Sequence, residues 1–110
     1  MAAKRVDANQ AAIVKALREH GASVELLHEA GRGVPDLLAG YRGRNYLMEV
    51  KTDTGKLNAR QKKWHAEWKG EVWVVRRIYD ALAIIEYQPP QSTTSGASTT
   101  LNINIPEDGS

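Results

Sequence analysis

Near the start of the chain, Ile13, Val14 and Leu17 recur at helical spacing and fall on one stripe. The pattern predicts a helix from about Asp7 to His20, capped by Asp7 and ended by Gly21, with Met1 to Val6 as a loose end. Gln10 shares the apolar stripe, so a polar amide points where a hydrophobe is expected. Ser23 to His28 then reads as a short strand, followed by the glycine-rich loop E-A-G-R-G-V-P, in which Pro35 prevents a helix. Asp36 to Tyr41 is a second strand, Arg42-Gly43-Arg44-Asn45 a hairpin turn, and Tyr46 to Lys51 a third strand. A polar loop, T-D-T-G-K, leads into a second helix, Asn58 to Lys69. Here Asn58 and Gln61 have capping-box spacing, and Gln61, Trp64, His65 and Trp68 share a face. Gly70 stops that helix. V-W-V-V-R is apolar enough for a strand buried on both faces, and Ile78 to Glu86 follows as a short amphipathic helix, with a strand as the alternative. The predicted order is α-β-β-β-α-β-α, an α/β fold with a mixed sheet flanked by helices.

Beyond Pro89 the composition changes to Q-S-T-T-S-G-A-S-T-T, a low-complexity stretch expected to be disordered. L-N-I-N-I-P alternates and suits a sheet edge, its own or one swapped onto a partner. The chain therefore divides into a domain over 1–87 and a tail over 88–110. At 110 residues, 42% hydrophobic and 25% charged, it is expected to be one soluble domain with a modest core. No apolar run of spanning length and no secretory leader is evident, so no membrane partner is expected. With no cysteine, disulfides, thiol catalysis and thiolate metal sites are all excluded, which suits a reducing, cytoplasmic interior.

The net charge of +2 conceals an uneven distribution: between Gly31 and Arg77 stand eleven Lys/Arg against five Asp/Glu. Such an excess suits a phosphate-bearing partner, although a solvated surface of mixed charge would look the same. A candidate site decides between them. In a strand, residues two apart project from one face, so Glu49 and Lys51 point together while Val50 faces the other way. Antiparallel pairing sets the start of the Asp36 strand against the end of theirs. Two carboxylates and an ammonium then converge at a sheet edge. Mg²⁺ takes oxygen ligands, usually with only one or two carboxylates, and leaves positions for water and phosphate, which suits phosphodiester hydrolysis. Lys51 would orient or deprotonate water, or stabilise the transition state; the residues alone do not choose. Singly, a P-D or an E-x-K is commonplace, a turn residue or a solvated pair. It is the combination in strand context that favours a site.

These residues resemble a known family. G-V-P-D-L-L and Y-L-M-E-V-K, followed by Gln61 and V-W-V-V-R-R, look like the PD-(D/E)XK nuclease superfamily and, within it, the small stand-alone VRR-Nuc domains of phages and bacteria. The resemblance spans roughly Gln10 to Leu82. It implies a restriction endonuclease-like αβββαβ core, a Mg²⁺-dependent (Mn²⁺ substituting) DNA endonuclease that leaves a 5′-phosphate, and a homodimer acting on branched DNA such as Holliday junctions in a bacterial or phage-infected cell. Two symmetric strands would need two symmetric sites. By the same resemblance Asp36 and Glu49 hold metal with the Val50 carbonyl, Lys51 is the catalytic lysine, and Gln61 lines the site. Gln61 is equally suited to the capping box with Asn58, and one side chain is not expected to do both.

One position departs from the family. A glutamate is usual on the first helix, and Gln10 stands there instead, a weaker ligand and no base. That puts a second metal and full activity in question; Glu19 lies off the stripe and is a poor substitute. The rival readings are a catalytically weakened DNA-binding module of the same fold, a repair or restriction nuclease acting on ordinary or mismatched duplex, and an interaction protein using its tail. Arg42 and Arg44 in the turn, and Lys56, Arg60, Lys62 and Lys63 around the second helix, are candidates for DNA backbone contacts, which position without reading sequence. His28 is read as an exposed strand-end residue with phosphate contact as the lesser alternative. His20 and His65 are read as surface or helix-end residues. Trp64, Trp68 and Trp73 are expected in the core or a dimer interface rather than stacked on bases. Gly31, Gly33 and Gly40 match no nucleotide-binding fingerprint, so no nucleotide cofactor is expected.

Overall fold

The computed structural model describes residues 2–87, with side chains described from Ala8 onward; the low-complexity tail and L-N-I-N-I-P expected beyond Pro89 lie outside the described residues. Seven elements follow in the predicted order: α1 (Ala2–Glu19), β1 (Ser23–Leu26), β2 (Leu37–Tyr41), β3 (Arg44–Val50), α2 (Ala59–Glu67), β4 (Trp73–Val75) and α3 (Ile78–Glu86).

The strands form one mixed sheet in the order β1-β2-β3-β4. The first two pairings are antiparallel, with Leu37 opposite Met48, and the β3–β4 pairing is parallel, with Val50 opposite Val75. Strand alternation sorts the side chains. Leu37, Ala39, Tyr46, Met48, Val50 and Val75 bury themselves against Ile13 and Leu17 of α1 and Ala81 and Ile85 of α3. The opposite face carries Asp36, Leu38, Leu47, Glu49 and Lys51. Only α2 lies on that side, and it has no buried residue of its own.

Several boundaries differ from the sequence expectation. α1 starts at Ala2, so Asp7 lies inside the helix rather than at its start, and residues 2–6 are no loose end. The run A-A-K-R-V is made largely of good helix formers and contains no breaker, so nothing halts propagation at Asp7. β1 ends at Leu26, although the Leu27 amide still donates to the Asp36 carbonyl at 2.8 Å. The hairpin turn is two residues rather than four: Arg42 and Gly43 both have positive φ (52° and 80°), the type I′ geometry that matches strand twist. β3 therefore begins at Arg44.

The fourth strand is shorter than V-W-V-V-R and is not covered on both faces. It is an edge strand, and Val74 is 36% exposed. The tryptophans are not core residues either. Trp64 and Trp68 stack on each other at 4.6 Å between ring centres, and Trp68 is 46% exposed. Trp73 is half-buried against the core. The segment left open between helix and strand, Ile78–Glu86, is a helix. At the other edge, the Arg18 guanidinium donates to the Val24 carbonyl at 2.9 Å and so occupies an acceptor of β1. Among the described residues no helix is long and apolar enough to cross a membrane.

Candidate active site

Asp36 enters the site from the end of the glycine-rich loop. Gly33 fixes that loop. Its φ is +83°, and a Cβ there would stand 2.5 Å from the Arg60 carbonyl oxygen in the first turn of α2. Only glycine lets the loop pack this closely on the helix. Carrying the β2–β3 register one step past Leu37–Met48 sets Asp36 across from Glu49. The Asp36 carboxylate accepts the Val50 amide through Oδ2 at 2.8 Å, which pins it to the end of β3 and leaves Oδ1 free of that bond.

Glu49 is 1% exposed and is the only charged residue among the buried ones described. Its Oε2 accepts from Gln61 Nε2 at 2.9 Å, while Oε1 has no hydrogen-bond partner. Burial, followed by the neighbouring Asp36 carboxylate, pushes the Glu49 carboxyl up to about 8, with Lys51 opposing the rise. Lys51 is half-buried and close enough for its charge to act also on His65. The sequence motif therefore comes together as two carboxylates and an ammonium on one sheet face.

Gln61 was expected either to cap α2 or to line the site, and it does both. Its Oε1 accepts the Asn58 amide and its backbone amide donates to Asn58 Oδ1, each at 2.9 Å, while Nε2 is left for Glu49. The two ends of one amide serve the two roles, so the expected conflict does not arise.

His65 is the residue the sequence reading misplaced. Its side chain is only 14% exposed, and Nε2 lies 4.0 Å from Glu49 Oε1 with no partner of its own. Burial, and then Lys51, hold its pKa below the ordinary value. The signal was present: His65 follows Gln61 by four residues, one helical turn along the same face. Two other supports gave no such signal. Asn9 on α1 donates to the Lys51 and Arg76 carbonyls at 3.0 and 3.2 Å, tying the ends of β3 and β4 together. Arg76 donates to the Thr52 and Gly55 carbonyls at 2.6 and 2.7 Å, and Arg77 chelates Asp53, so both arginines brace the loop after Lys51.

Gln10 reaches the margin of the site. It lines, with Asp36, His28 and Arg18, a cleft of about 840 Å³ between α1 and the end of β1. Glu19 is turned to solvent, paired with Lys15 at 2.6 Å. His28 is exposed, as expected. His20 is exposed at its helix end and bonds Glu86 at 2.7 Å.

The basic residues divide. Arg60 and Lys63 line a small cavity with Arg32 and Trp64 beside the glycine loop, and Lys56 and Lys62 are exposed nearby in sequence. Arg42 and Arg44 stand at the hairpin turn, the opposite end of β2 and β3 from Asp36 and Glu49. Arg42 is also engaged, bonded to Glu86 at 3.1 Å and lying over the Tyr41 ring.

The donor set suits a hard cation. Asp36, Glu49 and the Val50 carbonyl are oxygen donors, and the unpartnered, buried Glu49 Oε1 lies where burial and the Asp36 carboxylate raise the cost of ionising Glu49. Among the described residues no three His, Cys, Asp or Glu side chains converge as a metal cage. Mg²⁺ needs none, since it is commonly held by one or two carboxylates together with water and substrate phosphate.

No protein-family model and no curated protein sequence matches the chain. Among solved structures it is similar to a VRR_NUC domain, with a TM-score of 0.62 and 26% identity, covering 76% of this chain and 97% of that one.

Proposed function

We propose that this VRR-Nuc-like nuclease domain is a Mg²⁺-dependent endonuclease, with Mn²⁺ able to substitute, that hydrolyses phosphodiester bonds of branched DNA such as Holliday junctions and does so as a homodimer. The observation that carries the reading is the convergence of Asp36 and buried Glu49 on the face that Lys51 shares. An acid forced up to about 8 by burial and by a second carboxylate is a poor choice for stability alone and a good one for gaining a cation.

In this reading Asp36, Glu49 and the Val50 carbonyl hold the metal, which when bound withdraws charge from the scissile phosphate and makes bound water more acidic. Asp36 is held by the Val50 amide and Glu49 Oε2 by Gln61, so each carboxylate has one oxygen positioned before loading. Lys51, its backbone fixed by Asn9 and by the Val75 carbonyl, presents its ammonium to the reacting phosphate, orienting the attacking water or offsetting negative charge in the transition state. The basic groups around α2 supply backbone contacts. A dimer supplies the second site that a two-stranded cut requires.

Gln10 supports a second reading, a DNA-binding module of the same fold with weakened catalysis, because a neutral amide lines the cleft beside Asp36. One experiment separates the two: a labelled four-way junction and its matched linear duplex, incubated with Mg²⁺, Mn²⁺ or chelator, beside the Lys51→Ala protein. The enzyme reading expects metal-dependent cutting of the junction that the variant loses. Tight junction binding without cutting under either metal would establish the binding module, and equal cutting of both substrates would remove the preference for branched DNA.

A further inference from the structure

We propose that His65 is a positioning residue for Glu49, donating from Nε2 to Oε1 of the ionised carboxylate so that α2 holds both oxygens of this metal ligand. The inference rests on the metal-site reading above and extends it to a residue that no part of the motif includes.

Two buried polar atoms without partners face each other. Glu49 Oε1 and His65 Nε2 each lack a hydrogen bond, their side chains are 2% and 14% exposed, and they stand 4.0 Å apart. A buried polar group left unpaired is costly, so two such atoms 4.0 Å apart need a reason. A histidine that only fills space is no such reason, because leucine would fill it at no polar cost. The gap is too long for a hydrogen bond, and a movement of about 1 Å gives one of ordinary length. That movement lies within the side-chain torsions of a glutamate already held at its other oxygen by Gln61.

A carboxylate oxygen is a strong acceptor, and Oε1 has the ring nitrogen as its unpartnered neighbour. Each carboxylate oxygen carries two lone pairs, so a bond from Gln61 on Oε2 and one from His65 on Oε1 leave positions for a cation. Gln61 and His65 lie one turn apart on α2, so a single rigid element sets both contacts. Direct ligation by His65 is the less fitting role, because Mg²⁺ prefers oxygen donors to an imidazole nitrogen.

The test uses Mn²⁺ alone, read by spin resonance and calorimetry, on the full chain and on His65→Leu, His65→Gln and Glu49→Gln, with thermal melts to report folding. The expected result is a Glu49-dependent Mn²⁺ site that His65→Leu weakens about 10–100-fold and His65→Gln, which keeps a donor, largely recovers. In the Mg²⁺-loaded wild type, side-chain nitrogen NMR should show His65 protonated at Nε2. His65→Leu binding Mn²⁺ like the wild type would overturn the inference and leave the metal site standing. A nitrogen coupling showing His65 bound directly to Mn²⁺ would also overturn it. Mn²⁺ binding that ignores Glu49→Gln would remove both the inference and the metal reading beneath it.

Discussion

Gln61 donates to Glu49 at 2.9 Å with the same amide group whose oxygen closes the N-terminal cap of α2. Helix start and active site are thereby one structure. Gln61→Ala should cost about 1 kcal/mol from the cap alone and weaken metal binding as well. Gln61→Glu should keep the capping box, which accepts either residue, yet set a carboxylate against Glu49. Melting curves at pH 8 should then show Gln61→Glu less stable than wild type without Mg²⁺, with the difference narrowing when Mg²⁺ is added. A variant insensitive to Mg²⁺ would contradict this.

The Glu49 carboxyl gives stability a definite pH dependence. In the folded protein it is pushed up to about 8, against an ordinary 4.5 for an exposed glutamate. Between those values the folded state holds the proton more tightly than the unfolded chain, so stability conferred by the protonated form is lost as pH rises from about 4.5 through 8. Metal-free Glu49→Gln should flatten that part of the profile and melt above wild type at pH 8.5, by about 5 °C or more. Loading shows the opposite trend: a cation must displace one proton, so Mg²⁺ affinity should rise about tenfold per pH unit below pH 8. Calorimetric titration at pH 6, 7 and 8 checks the slope.

Gln10 lines the cleft that contains Asp36. Gln10→Glu adds a charged oxygen donor without moving the backbone. It should tighten divalent binding and raise the cleavage rate on the order of tenfold, about 1.4 kcal/mol. No change in either would mean that this end of α1 lies outside the reacting centre.

The two groups of basic residues should behave differently on DNA. Arg60→Ala, beside the glycine loop, should weaken binding to all sequences and lower the salt slope by about 1. Arg42→Ala, at the far end of the hairpin and already bonded to Glu86, should change that slope little and lower stability instead. Binding measured across a salt series distinguishes them.

The sequence made the sheet and the motif legible because both rest on short-range rules. Alternation put Glu49 and Lys51 on one face, and hairpin pairing brought Asp36 to them. Edges were less legible: V-W-V-V-R looks like a central strand, and nothing within it shows that β4 has a neighbour on one side only. Asn9 was invisible for another reason, since its partners Lys51 and Arg76 lie far along the chain and a helical asparagine has no pattern of its own. His65 is hard to read although its spacing from Gln61 is plain, because a histidine on a helix face looks the same whether it meets solvent or a carboxylate on a distant strand.

α2 has no buried residue, and its ties to the rest of the domain include the close fit at Gly33 and the reach of Gln61 to Glu49. An element so lightly anchored is expected to open at less than the global unfolding free energy. When it lifts, Glu49 loses its partner while the sheet beneath stays intact. The candidate site is then a population rather than a fixture, assembled for the share of time that one short helix is seated. Whatever presses on α2 from outside, DNA above all, sets that share.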